Sequence, residues 1–264
     1  TAAVPFSPAP VVEILDTNGD RDVSVGNETV AIAELLGPEA ALATLQRQGV
    51  GVNGTSTAAV ASFSNGTATF SGLVVDRAGL NYRLEVYVAG VRGVISETFR
   101  VDVGPPWGLV VVDDVGRATG GLEFAPQPAL AVVDAGRNTI WWDNVTQVNV
   151  SLLQDGSGQN ATLSGQKVVQ CVSGVAQFLD LSIDKAGDGF VLEFDSNADQ
   201  ITGNVTSRSF TVGVGPTANL RLVVQPDGAR GGEPFTSQPV LVLEDAGGNV
   251  NVQDNHTQVT VTLW

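Results

Sequence analysis

The stretch Pro128-Ala-Leu-Ala-Val-Val-Asp-Ala-Gly-Arg-Asn138, continued by Asp143-Asn-Val-Thr-Gln-Val-Asn-Val-Ser-Leu152, returns 111 residues later. There it reads Pro239-Val-Leu-Val-Leu-Glu-Asp-Ala-Gly-Gly-Asn249 and Asp254-Asn-His-Thr-Gln-Val-Thr-Val-Thr-Leu263. The match runs without a gap from Leu109–Leu152 over Leu220–Leu263, and Phe124 falls on Phe235. The amino-terminal segment fits the same template, with Phe6, Pro10 and Asp16 standing 118 residues before Phe124, Pro128 and Asp134. Phe70-Ser-Gly-Leu-Val-Val-Asp76-Arg-Ala-Gly79 reappears as Phe178-Leu-Asp-Leu-Ser-Ile-Asp184-Lys-Ala-Gly187. Phe99-Arg-Val-Asp-Val-Gly104-Pro105 returns as Phe210-Thr-Val-Gly-Val-Gly215-Pro216. A repeat decides the organisation before any single element does. The chain divides at its Gly-Pro junctions into repeat one (1–104, first strand missing), repeat two (105–215, complete) and repeat three (216–264, its amino-terminal part).

Strand patterning fills each copy. Val148, Val150 and Leu152 alternate with Asn149 and Ser151, as Val259, Val261 and Leu263 do with Thr260 and Thr262. Tyr82, Leu84 and Val86 alternate likewise and match Phe190, Leu192 and Phe194. A period of two is the signature of a strand with one buried face. The runs Val11–Leu15, Ala129–Val133 and Val240–Glu244 each lead into an Asp and a Gly-containing turn. One stretch has helical composition, from Val30 to Leu45. Its alignment with repeat two makes the first half a strand and leaves a short helix near Pro38–Leu45. Short strands at this spacing predict an all-β chain of two-sheet antiparallel sandwiches of immunoglobulin type, joined end to end. The disulfide and core Trp of antibody domains are absent.

Composition narrows the chemistry. The chain has 264 residues, 28 acidic against 13 basic, for a net charge of −15, with one His and one Cys. A negative surface repels phosphate backbones and anionic lipid, so nucleic acid is excluded as a partner. No apolar run approaches the roughly 18 residues of a membrane helix. One His and one Cys leave little room for a catalytic dyad or a zinc cluster, and no carboxylate pair stands out for glycoside hydrolysis. The chain reads as a non-enzyme without a cofactor. The opening TAAVPFSPAP has no signal-peptide character, so the sequence reads as a mature chain or a piece of a longer one.

The strings Gly232-Glu-Pro-Phe-Thr-Ser-Gln-Pro-Val-Leu-Val-Leu-Glu-Asp-Ala-Gly-Gly-Asn249 and Phe70–Gly79 resemble the tandem Ig-like repeats of giant surface proteins. Such repeats occur in bacterial adhesin-like proteins and in surface or flagellar-hair proteins of algae and other protists. The resemblance covers nearly the whole chain and implies spacers, stalks and assembly units, with no catalytic set.

Eight Asn-X-Ser/Thr sequons occur, at Asn27, Asn53, Asn65, Asn144, Asn149, Asn160, Asn204 and Asn255. With 15 Asn and Ser plus Thr at about 14% of residues, chance supplies about two. Asn27, Asn144 and Asn255 hold one place in all three repeats, and Asn149 falls on the polar phase of its strand. N-linked glycans are therefore expected. They require a secretory route, which places the protein outside the cell or at its surface and points to a eukaryotic source.

Four further features call for a reading. Asp16, Asn18, Asp20 and Asp22 are spaced like the start of a calcium loop. However, Glu28 misses the twelfth position by one and Gly19 comes two places early, so a hairpin turn is favoured over calcium. Trp141 and Trp142, read as neighbours on a strand, point to opposite faces, leaving one outward as an interface or sugar-stacking residue. Trp107, beside Gly104-Pro105-Pro106, is placed as a wedge stiffening the linker. Cys171, the odd cysteine, has the option of bridging to another chain, but it lies in a strand-like run and is expected as a buried thiol.

The reading that follows is a structural, N-glycosylated filament, flagellar hair or cell-surface stalk. Its partners are copies of itself or other filament subunits. The alternative is an adhesin or carbohydrate-binding stalk that uses an exposed Trp on glycans.

Overall fold

A computed structural model describes residues 2–47 and 58–262. The chain is all-β, built of antiparallel sheets. One short pair, named below, runs parallel. It forms two compact units, Thr1–Gly108 with Val132–Trp142, and Leu109–Ala131 with Asp143–Trp264. The first unit therefore takes in the Val132–Trp142 segment of repeat two.

The first unit carries β1 (Val11–Glu13), β2 (Val30–Leu36), β3 (Leu45–Arg47), β4 (Ala58–Ser64), β5 (Thr67–Thr69), β6 (Leu73–Val75), β7 (Gly79–Val88), β8 (Val91–Ile95) and β9 (Phe99–Val101). Six of them form a sheet of order β1-β5-β4-β2-β7-β8, with β9 also paired to β7, and β3 pairs β6. Alternation decides the faces: Ala31, Ala33 and Leu35 of β2 and Tyr82, Leu84 and Val86 of β7 are buried. Ala33 stands opposite Val86 and Leu35 opposite Leu84, so both strands present one apolar face to one core. The helical composition before Leu45 yields only a 3-10 turn at Ala40–Leu42, after which the chain enters β3. Pro38 and three Ala supply propensity, but a segment this short cannot nucleate an α-helix alone.

In the second unit and the strands leading into it lie β10 (Gly108–Asp113), β11 (Ala118–Thr119), β12 (Ala129–Val133), β13 (Gln147–Gln154), β14 (Leu163–Ser164), β15 (Val168–Gln170) and β16 (Val175–Gln177). They are followed by β17 (Ser182–Ile183), β18 (Gly187–Ser196), β19 (Val205–Thr206), β20 (Phe210–Gly213), β21 (Asn219–Val224) and β22 (Val240–Glu244). The sheets run β10-β12-β16 and β11-β20-β18-β13-β15, with β19 on β18 and the pairs β14–β17 and β21–β22. The parallel pair is β11 with β20. Val148 and Val150 of β13 and Phe190, Leu192 and Phe194 of β18 are fully buried.

The internal repeat survives as matched pairings. Val12 opposite Ala68 becomes Leu130 opposite Ala176. Leu45 opposite Val75 becomes Leu163 opposite Ile183. The Leu84 amide donates to Ser96 Oγ at 2.9 Å, and the Leu192 amide to Ser207 Oγ at 3.0 Å. An aromatic triad recurs: Phe6 meets Phe99 edge-on at 5.3 Å while Tyr82 stacks on Phe99 at 5.9 Å. Its counterpart is Phe124, Phe210 and Phe190, at 5.7 and 5.8 Å.

Truncating the fully buried Phe190 of that triad opens a cavity in a close-packed core. Phe190→Ala is expected to cost about 3–5 kcal/mol in urea unfolding of the full chain. Val145→Ala, at a side chain 79% exposed, is expected to stay within about 0.5 kcal/mol of the parent.

Candidate functional site

Loop chemistry fixes where the sequons stand. Asn27, Asn65, Asn144, Asn160, Asn204 and Asn255 are exposed. Asn53 lies outside the described residues. Asn65 and Gly66 form the two-residue turn between β4 and β5, with φ of 50° and 74°. Asn-Gly supplies the two positive φ values such a hairpin requires, a signal available in the sequence and overlooked behind the sequon. Asn149 differs from expectation. It is half-buried on β13, and its Nδ2 donates to Asp195 Oδ2 on β18 at 3.1 Å.

Two sequons follow an aspartate that organises them. Asp143 Oδ1 accepts the amides of Val145 and Thr146 at 3.0 Å, and Oδ2 accepts the Thr146 hydroxyl at 2.6 Å. Asp254 repeats this with His256 and Thr257, and also takes the Thr217 hydroxyl at 2.6 Å. Burial works against the charged form of Asp143, but the Thr146 hydroxyl and the two amides outweigh it and leave the carboxyl below its usual range. The Thr217 and Thr257 hydroxyls hold Asp254 well below that range. Asn144 Oδ1 accepts the Ser173 amide at 2.9 Å.

Trp141 and Trp142 lie in a turn and not on a strand, so both face solvent, 65% and 47% exposed, in edge-to-face contact at 5.1 Å. The alternation argument fails there because the strand period does not apply. They line a groove of about 450 Å³ with Leu80, Arg100, Val101 and Asp102. Arg100 Nε bonds Asp102 Oδ1 at 2.7 Å. The Trp107 side chain is 60% exposed, and its amide donates to Val133 O at 2.8 Å.

The Asp-Ala-Gly-x-Asn turns do more than close hairpins. Asp134, fully buried, accepts the amides of Gly136 and Asn138 on Oδ1 and that of Gly104 on Oδ2, at 2.7–2.9 Å. Asn138 Nδ2 donates to Asp76 O at 2.7 Å, and its Oδ1 accepts the Ala78 amide at 3.0 Å. In the second unit Asp245 takes Gly247, Asn249 and Gly215, while Asn249 bonds Asp184 O at 2.7 Å and the Ala186 amide at 2.9 Å. Lys185 Nζ adds a bond to Gly247 O at 2.9 Å. Burial opposes ionisation of Asp245, but the Gly215, Asn249 and Gly247 amides prevail and its carboxyl sits below the usual value. Sequence reading missed Asn138 and Asn249. The signal was their return at one register position, each four residues after a repeated Asp.

The Asp16 turn has the same local form, with Oδ1 accepting the amides of Asn18 and Asp20 at 2.8 and 3.0 Å, which lowers its pKa. Asp22 Oδ1 takes the Ser24 amide and hydroxyl. Among the described residues no group of three or more His, Cys, Asp or Glu could hold a metal ion, and no helix is long and apolar enough to cross a membrane. Cys171 is buried and not in a disulfide, and burial, then the charge of Asp143, pushes its thiol up to about 11.

Compared with known proteins, the chain matches no family model and no curated protein.

Two pH-linked outcomes follow from these groups. Depressed carboxyls such as Asp143 and Asp245 contribute stability above the ordinary carboxylate pKa and lose it as pH falls through their folded values. The melting temperature is therefore expected to drop below about pH 4, and Asp245→Asn to flatten that drop. The raised Cys171 thiol stays protonated at pH 8, so native alkylation by iodoacetamide is expected to run at least about tenfold slower than in urea, read by mass spectrometry.

Proposed function

We infer that this chain is part of an extracellular, N-glycosylated structural protein, built of tandem Ig-like sandwiches over 1–104, 105–215 and 216–264, that forms a filament, flagellar hair or cell-surface stalk. The observation carrying this is the placement of the acceptors. Six of the seven described sequon asparagines are exposed, on turns and loops at the ends of strands, where a sugar can be attached without disturbing a core. The net charge of −15 adds a hydrated exterior. Lateral contact then falls to bare surface. Edge strand β8 exposes Val91, Val94 and Ile95 at the end of its sheet, where unpaired backbone groups invite another strand. Partners are accordingly further copies or other subunits of the same assembly.

A second reading is favoured by the Trp groove: an adhesin whose Trp141 and Trp142 stack on sugar rings while Arg100 and Asp102 offer hydrogen bonds.

Mass spectrometry of native material is expected to find glycans on Asn27, Asn65, Asn144, Asn160, Asn204 and Asn255, and electron microscopy of native extracts to show extended assemblies. Bare asparagines together with dispersed monomers would overturn the structural reading. Glycan-array binding lost in Trp141→Ala and Trp142→Ala would favour the adhesin.

A further inference from the structure

The turn at Asp134–Asn138 and the turn at Asp245–Asn249 divide their hydrogen bonds in two. One carboxylate oxygen closes the turn itself. The other oxygen and the Asn side chain, whose Nδ2 also bonds its own Asp, reach residues of the preceding repeat: the Gly104 or Gly215 amide, the Asp76 or Asp184 carbonyl, and the Ala78 or Ala186 amide. We propose that the Asp-Ala-Gly-x-Asn turn is a latch, an interaction surface whose partner is the Asp-(Arg/Lys)-Ala-Gly turn and Gly-Pro junction of the copy before it, and that the fifth residue sets whether it engages.

Three observations carry this. First, the turn does not need the latch to form. Asp16 makes the same two local bonds, to the amides of Asn18 and Asp20, with no Asn at the fifth position. Second, Asn is the side chain that fits. Its amide donates to one backbone carbonyl and its oxygen accepts from an amide two residues further on, as a strand neighbour would. Asp20 stands at that register position in repeat one and cannot donate; two oxygens there would face a carbonyl and a buried carboxylate. Third, the approach is too close for a side chain. A Cβ on Gly136 would meet the Asp76 carbonyl first, and one on Gly247 the Asp184 carbonyl. Neither glycine has a positive φ, so the turn's backbone conformation tolerates Ala, and the Cβ is stopped by the docked carbonyl and by the Asn138 or Asn249 Nδ2 that bonds it.

The latch is independent of glycosylation and of the filament reading, and stands or falls on its own test. Amide hydrogen exchange of the full chain, followed residue by residue by NMR, reads it directly. The amides of Gly104, Ala78, Gly215 and Ala186 are expected to be protected. Gly247→Ala and Asn249→Asp are each expected to speed exchange at Gly215 and Ala186 by about tenfold or more, while Leu192 in the same core and Ala78 in the first unit keep their rates. Gly136→Ala is expected to act on Gly104 and Ala78 alone, and Asp20→Asn to change none of the four. Free-peptide exchange at Ala186 in the unsubstituted chain would overturn the proposal without any variant. So would an unaltered rate at Ala186 in Gly247→Ala, or a loss spreading to Leu192, which would make the turn part of the core instead of a latch.

Discussion

A carboxylate removed from water has to find a partner for every lone pair it exposes to the interior. Asp134 and Asp245, both fully buried, meet that demand with backbone amides. Much of the surrounding sequence follows from this one requirement. The linker residue facing Oδ2 has to carry an N–H, so Gly104 and Gly215 precede their prolines; a Pro in that place would delete the donor. The middle of the turn has to pass under a carbonyl, so Gly136 and Gly247 carry no Cβ. The Asn that ends the turn donates to both its own Asp and the neighbouring carbonyl, tying the charge into a network in which each member has a partner.

Around this fixed element the repeats vary their packing and keep their register. The cross-strand pair Ala33–Val86 of the first unit becomes Val150–Phe194 in the second. Both partners grow, yet the pairing stays in place. A slip of one residue would turn every apolar side chain to the solvent face, whereas a change of volume can be absorbed by neighbouring side chains. The aromatic triads show the same economy. Tyr82 in one copy is Phe190 in the other, and the Tyr82 hydroxyl, having nowhere wet to go, donates to Arg77 O at 3.2 Å.

Most of the strands could be read from alternation, because burial on one face writes itself into every second residue. Alternation also gave β7 its core residues, while β2 was read as a strand only through its alignment with repeat two. What the period could not reach were the places where the chain leaves a strand. Trp141 and Trp142 follow an isolated bridge and sit in a turn, so a rule for strand neighbours assigned them wrongly. The Ala-rich run after Pro38 has helical propensity but only three residues of helical room before β3 begins. The latch residues are also invisible to periodicity, since their partners lie 60 to 65 residues away in sequence.

The sequons mark the limit of a motif as evidence for a site. Six of them fall where chain geometry leaves the Asn outside, and at Asn65 the residue is there for a second reason, its tolerance of positive φ in a tight hairpin. Asn149 satisfies the same motif and lies on the polar phase of β13, but β18 brings Asp195 opposite it and their side chains bond. A glycan on that nitrogen has to displace the bond to Asp195 and spread over a paired strand, whereas Asn144, a few residues earlier, is exposed in an Asp-organised turn outside the strand. The motif supplies the chemistry at both positions; strand pairing decides between them, and it does so through a residue 46 positions away that no local reading of the sequence would have consulted.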